Sequence, residues 1–267
     1  MEYTWKVDGE PGTDVVGDVP VLISSFPSAG LATTVAGHYI IRALQLPRVG
    51  RFDSPDSAPI AVVQDGEVNP TIRVYGRKGF ALILSEFPPT AGQANAAARA
   101  ILTAARARKA RLVVCLEGVV PHPDDEADGD AAAPESAARV VEQVWGAYSH
   151  RDAAVVKLFE AARVKPLEDG VIGGVSGALL VQALGGPVPV AVLLVSANAA
   201  EGLPDHRAGA ALIETLDRVL PELKIDTGPL RAQAEAIEKA LRSAMKRRSE
   251  MPAPPEGEAP SESGMYR

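Results

Sequence analysis

The chain holds a single cysteine, Cys115, in 267 residues. One thiol excludes an internal disulfide and any site built from several thiolates, so nothing points to an oxidising compartment and a cytoplasmic location is expected. The four histidines, His38, His122, His150 and His206, never fall at i and i+4 and never within H-E-x-x-H, so no metal site is expected. The dipeptide Gly-Lys is absent, which removes the phosphate-cradling P-loop and any reason to expect ATP turnover. No apolar run approaches the ~18 residues that span a bilayer. Residues 1–17 carry Glu2, Asp8, Glu10 and Asp14 where a secretory leader would be apolar. Positive charge is scarce too: 27 Lys and Arg against 34 Asp and Glu leave a net charge of −7, and the basic block is Lys246, Arg247 and Arg248. Nucleic acids and anionic membranes need a sizeable positive field, so both are excluded as partners.

What is present is apolar and alternating. Runs of strand length recur at residues 19–26, 60–64, 71–75, 80–85, 112–116 and 190–196, several without a polar residue, as expected of strands covered on both faces. Between them, alanine-rich stretches at 31–44, 93–108, 153–163, 178–184 and 208–220 have helical spacing. Strands alternating with helices predict a three-layer α/β/α sandwich around a mixed sheet. Residues 60–85 read as consecutive strands with turns at 68–70 and 76–79, so part of that sheet is expected to be antiparallel. Residues 139–149 suit either element; their β-branched and aromatic content favours a strand. Ser149 with Asp152 three residues on then resembles a helix-starting capping box. Residues 121–136, with Asp124, Asp125, Glu126, Asp128 and Asp130, form an acidic loop whose spacing does not match a calcium-binding EF-hand.

Gly228-Pro229 opens a last helix, in which Leu230, Ala234, Ile237, Leu241 and Met245 form a one-sided apolar stripe. The basic block closes it, cations at the negative end of the helix dipole. Residues 1–250 are therefore expected to form one α/β domain. Residues 251–264 are Pro, Ala, Glu, Gly and Ser with Met251, a composition that buries too little to offset its ordering entropy, and 251–267 is expected to be a disordered linker and tail.

Candidate chemistry is sparse. The run GVIGGVSG at 170–177 is not G-x-G-x-x-G, and its glycines suit a tight strand-to-helix turn. Asn198 and Glu201 are the nearest polar residues to the acid a dinucleotide site would need. Ser176 lacks the G-x-S-x-G context of a nucleophile. Cys115, inside a strand core, is expected to be inert, and His38, on an apolar helix, to be a satisfied core or interface residue. Glu86 and Glu117 each follow an apolar run, which places both near the C-terminal ends of strands, where open α/β sheets bind ligands. A glutamate leaving a strand can equally contact only solvent or a helix N-terminus.

The sharpest local signal is the ending Met265-Tyr266-Arg267. A hydrophobic residue, a tyrosine and a third residue with the free carboxylate make a plug for a pocket of apolar groups and a cation. Met265 would fill an apolar recess, Tyr266 would pack its ring and hydrogen-bond its hydroxyl, and the Arg267 carboxylate would meet a lysine. This composition produces such an ending about 1% of the time. The 14 residues before it would reach roughly 20 Å, enough to extend past a globular body.

Four further motifs carry a resemblance. PVLISSFPSAGL at 20–31, GVIGGVSGALL at 170–180, LPDHRAGA at 203–210 and IDTGPL at 225–230 with Ile237 and Glu238 follow the order of signature segments in the proteasome assembly chaperone family. Ser25, where the family usually has glycine, and His206 with Gly209 depart from the pattern. The resemblance spans residues 20–241. It implies an α/β/α sandwich related in architecture to nucleoside phosphorylases and assembly into homo-oligomers. In members ending hydrophobic-Tyr-X it also implies docking on the α-ring of the core proteasome. The expected function is an ATP-independent proteasome partner, an assembly chaperone or gate-opening activator, acting through Met265, Tyr266 and Arg267, without cofactor or catalysis. The rival reading is a phosphorylase-like or hydrolase-like enzyme with Glu86 or Glu117 near a pocket at the sheet's open end, favoured if the two carboxylates converge with an arginine and backbone amides on one cleft.

Overall fold

A computed structural model of the chain describes residues 2–8, 17–64, 66–120, 142–198 and 203–250. The strands are β1 (Thr4–Val7), β2 (Val21–Ser25), β3 (Arg48–Asp53), β4 (Val62–Gln64), β5 (Glu67–Asn69), β6 (Ile72–Arg77), β7 (Phe80–Ser85), β8 (Leu112–Val119), β9 (Val144–Tyr148), β10 (Lys165–Pro166) and β11 (Val190–Ser196). The helices are α1 (Ala32–Ala43), α2 (Ala91–Ala107), α3 (Ala153–Ala161), α4 (Gly174–Gln182), α5 (His206–Val219) and α6 (Gly228–Glu250). Nine strands form one mixed sheet in the order β1-β3-β6-β7-β2-β8-β11-β9-β10, and β4 pairs with β5 as a separate hairpin.

The runs with no polar alternation are the central strands. β2, β7 and β11 are buried at every position, and β7, β2, β8 and β11 lie parallel in register, Val21 opposite both Phe80 and Leu112. Period two divides their side chains between two cores. Ile23, Leu82, Leu84, Val114 and Leu116 meet α1, α3 and α5 on one face; Leu22, Ile83, Val113 and Cys115 meet α2 and α4 on the other. Small residues let α2 lie close to the sheet, with Ala94, Ala97, Ala98, Ala104 and Ala105 buried. Its start is fixed by a capping box: Thr90 Oγ1 accepts from the Gln93 amide at 3.4 Å and the Thr90 amide donates to Gln93 Oε1 at 3.0 Å.

The mixed three-layer architecture read from the sequence holds, and several details differ. Strand β8 continues to Val119, so Glu117 lies inside the strand. Residues 68–69 belong to β5, whose turn is earlier, at Gly66. The capping residue of α3 is Asp152, whose Oδ1 accepts from Ala154 and Val155 at 2.9 and 3.2 Å. Ser149 instead accepts from the Val190 amide at 3.1 Å. The 178–184 helix begins earlier, at Gly174. β1, β3, β5 and β10 have no counterpart among the apolar runs. Of the α6 apolar stripe, Leu230 and Ala234 are buried and Ile237 is 37% exposed, while the side chains of Leu241 and Met245 lie outside the described residues.

Candidate functional site

Two of the recognisable motifs, 20–31 and 203–210, meet at the C-terminal end of the parallel strands. After β2 the chain turns through Ser28 and a short 3-10 turn into α1, held by Thr33 Oγ1 donating to Phe26 O at 2.6 Å and sharing a 3.0 Å bond with Ser28 Oγ. Ser25, the departure from the family pattern, is accommodated: it is fully buried and its hydroxyl donates to Thr33 O at 2.8 Å. Gly30 has φ +59°, and a Cβ there would lie 2.7 Å from Asn198 O, so the 20–31 turn needs glycine to reach the segment after β11. The Asp205 amide donates to Gly30 O at 2.7 Å, while the Asp205 carboxylate accepts from the Asn198 and Ala208 amides at 2.8 and 2.9 Å. Asp205 thereby caps α5 and ties two motifs together. Gly209, the other departure, lets α5 cross α1, since a Cβ would stand 2.8 Å from Val35 Cγ1.

The 225–230 motif is anchored on α5. Thr227 Oγ1 donates to Glu214 at 2.7 Å, and Arg231 forms a two-pronged pair with Glu214 at 2.7 and 2.8 Å and a third bond to Glu142 at 2.8 Å. That arginine holds the Glu214 carboxyl below its ordinary range, against the opposing effect of burial. Arg207 pairs with Glu238. These signature residues therefore build turns and helix crossings. Residues 170–177 likewise form the turn into α4, with Gly174 at φ +61°.

The two carboxylates proposed for chemistry occupy separate environments. Glu86 leaves β7 on the α1 face, where Arg73, a fully buried arginine of β6, pairs with it and His38 Nε2 lies 3.0 Å from Oε1. Arg73 also donates to Tyr75 Oη at 3.0 Å and Pro70 O at 3.1 Å. Burial opposes the Glu86 charge, but the His38 hydrogen bond and the Arg73 cation outweigh it and hold the carboxyl below its ordinary range. His38 is thus half exposed and paired with an acid; it is no core residue.

Glu117 shares its face with Val113 and Cys115, under α2 and α4. Burial pushes its carboxyl up to about 7, with hydrogen bonds from Ser176 and the Gly118 amide only partly offsetting this. Cys115 is fully buried, and burial, then the nearby Glu117 charge, pushes its thiol up, the opposite of an activated nucleophile. Ser176 is tied to Glu117 and Cys115 at the start of α4. Glu86 and Glu117 therefore lie on opposite faces of the sheet and do not converge, so the arrangement that would favour the enzyme reading is not formed by these two carboxylates. Among the described residues, no cluster of His, Cys, Asp and Glu could hold a metal ion, and no helix is long and apolar enough to cross a membrane.

Met265, Tyr266, Arg267, the 121–136 acidic loop, His122 and Glu201 lie outside the described residues. Arg73 escaped the sequence reading altogether. Its one signal was a cation at an inward position of the apolar run 71–75.

A family model described as the PAC2 family matches residues 22–245. The chain belongs to the PAC2 family. Its fold matches Pyrococcus furiosus PbaA, described as an archaeal homolog of proteasome-assembly chaperone, with TM-score 0.74 and 25% identity over 92% of this chain and 94% of that one. Pyrococcus furiosus PbaB, described as an archaeal proteasome activator, shares the fold at TM-score 0.71 and 20% identity over 91% and 99% of the two chains. An uncharacterized Methanocaldococcus jannaschii protein is 27% identical over 223 residues, 84% of each chain. The family resemblance read from the four motifs is borne out, and this PAC2 protein has the mixed α/β architecture that the resemblance implied.

Proposed function

We propose that this protein is an ATP-independent, homo-oligomeric partner of the core proteasome, an assembly chaperone or gate-opening activator. In this reading Met265, Tyr266 and Arg267 dock into pockets of the α-ring. The observation that carries it is a conjunction: a body of the PAC2 family, similar to a proteasome-assembly chaperone homolog, in a chain that also ends Met-Tyr-Arg. The two features are chemically unrelated, since the family motifs are spent on turns and helix crossings and none supplies a peptide plug.

Geometry supports the division of labour. Helix α6 buries Leu230 and Ala234 against the body and runs to Glu250, and in this reading the residues after it serve as the tether for the Met-Tyr-Arg plug. Several such tails on one oligomer engage a ring together, and effective concentration then turns a weak single contact into useful avidity. The decisive experiment is capture of purified α-rings by the full chain, by Tyr266→Ala and by a version with residues appended after Arg267. The full chain is expected to bind, with both altered chains at least tenfold weaker. Equal binding by all three rejects the tail mechanism.

A further inference from the structure

Among the six helices, α4 alone carries no charged residue and no histidine. It lies in a run, residues 170–200, without Asp, Glu, Lys, Arg or His, in a chain whose residues are 23% charged. Strand β11 accounts for part of that run, because it is buried at every position. Helix α4 is not. A helix apolar on every side belongs in an interior, yet one side of α4 faces outward. Val175, Ser176, Leu179 and Ala183 turn inward and are buried. Gly174, Ala178, Val181 and Gly185, at spacings of four, three and four, fall on the opposite side. Val181 is 67% exposed, and Leu184, at the flank of this side, 62%. Gly177 leaves room for the Ile172 carbonyl to lie against the helix. The 170–172 loop thus folds onto α4 and adds Val171, at 97% the most exposed large apolar side chain among the described residues.

This strip has the composition of an interface core, apolar and without charge, and the small residues Gly174, Ala178 and Gly185 let a second backbone approach. A polar rim follows on the α2 side, where Gln182 Nε2 donates to Asn95 O at 3.0 Å. The two ends differ in charge. Before the helix stand Glu168 and Asp169, exposed and without an ion pair among the described residues, with Lys165 the nearest cation in the chain. At the far end Arg106 is exposed and likewise makes no ion pair among the described residues. It lies beside Gly186, where a Cβ would stand 3.6 Å from Arg106 Nη2. At helical rise the residues from Gly174 to Gly186 span about 18 Å. Salt screens exposed charges beyond about 8–10 Å, so the acids and the arginine do not serve one another within one chain.

That polarity selects the occupant. A second copy related by a two-fold axis presents the same strip to itself, and where the helices cross antiparallel each end of α4 meets the opposite end of its copy. We infer that the outer side of α4 binds α4 of a second copy in this way, with Ala178 and Val181 near the axis. Val171 of each copy then packs against Leu184 of the other, and Glu168 and Asp169 face Arg106 of the other. The apolar strip supplies the attraction, and the charged ends fix the direction, because a parallel crossing sets acid against acid and arginine against arginine. The inference rests on the homo-oligomeric part of the proposed function and makes no use of the tail.

The test is sedimentation velocity of the full chain over a concentration series. The parent is expected to self-associate. Val181→Lys, a good helix former at an exposed position, is expected to associate at least tenfold more weakly, with circular dichroism and melting temperature at parent values. Arg106→Glu is expected to lose about fivefold. Combining it with Glu168→Lys and Asp169→Lys should regain that loss, because the swapped ends again attract. A parent that is monomeric at every concentration overturns both the inference and the homo-oligomeric reading. Undiminished association in Val181→Lys, or a triple variant no tighter than Arg106→Glu, overturns the inference alone, while capture of the α-ring still stands or falls on the tail.

Discussion

Glu86 and Glu117 stand at the same end of one sheet, with only β2 between their strands, yet their carboxyl groups are driven in opposite directions. Both feel burial, which raises the proton affinity of any carboxylate. Glu86 has a buried guanidinium and an imidazole beside it, and these outweigh desolvation. Glu117 has a hydroxyl and an amide, which do not. The difference arises from the alternation of the strands: Glu86 falls on the α1 face beside Arg73 and His38, and Glu117 falls on the α2/α4 face among Val113, Cys115 and Ser176. For half-buried acids at a sheet end, the charges within hydrogen-bond reach decide ionisation, and position along the strand does not.

The comparison breaks most severely at Arg73. This side chain is fully buried, so Arg73→Met keeps the aliphatic stem and leaves Glu86 with its main cation gone. Removing one member of a buried ion pair costs about 3–5 kcal/mol, and urea unfolding at pH 7 is expected to show a loss in that range. Arg73→Met with Glu86→Gln should recover part of it, because the uncompensated charge is then gone as well. A loss below about 1 kcal/mol for the single variant would mean that the pair contributes little and that desolvation governs Glu86 as it governs Glu117.

Glu117 sharpens the other side. Its folded-state carboxyl titrates near 7, against an ordinary value of 4.5, so the folded protein holds a proton in this window that the unfolded chain has released. Stability therefore falls as pH rises from about 5 to 7 and levels off above 7, by about 3 kcal/mol in all. Glu117→Gln removes the titration, and its unfolding free energy should stay flat across this window while the parent declines. A parent that keeps constant stability from pH 5 to pH 8 would show Glu117 to be ionised throughout.

What could be read in the sequence was what repeats. The unbroken apolar runs of β2, β7 and β11 announced strands covered on both faces, and the alanine-rich periodic stretches announced the helices over them. The edges were illegible for a physical reason: β1 and β3 carry Lys6, Arg48, Arg51 and Asp53 among their apolar residues, since an outer strand faces water and makes its ion pairs there, as Lys6 does with Asp53 at 2.7 Å. The candidate carboxylates were found but their relation was not. Ending the 112–116 run at Leu116 hid that Glu117 continues β8 in step with Val113 and Cys115, while Glu86 continues the Leu82 and Leu84 side of β7. That parity, once the strand bounds are known, already sets the two acids on opposite faces. Arg73 stayed invisible because its neutralisation comes from a residue thirteen positions away, a pairing that only strand order creates.

His38 offers the mildest perturbation. Its Nε2 lies 3.0 Å from Glu86 Oε1 with the ring 35% exposed, so His38→Ala takes away one hydrogen bond and leaves Arg73 in place. Solvent screens a partly exposed pair, and the expected loss is about 1 kcal/mol at pH 7. The more telling readout is the acid limb. A carboxyl held below its ordinary value contributes stability that is present above that value and lost as pH falls through the folded-state value. Without the imidazole, the Glu86 pKa moves back toward 4.5, and acid unfolding of His38→Ala should begin at a higher pH than in the parent. An unchanged acid limb would assign the whole lowering to Arg73, and the contrast between the two glutamates would then rest on one buried guanidinium.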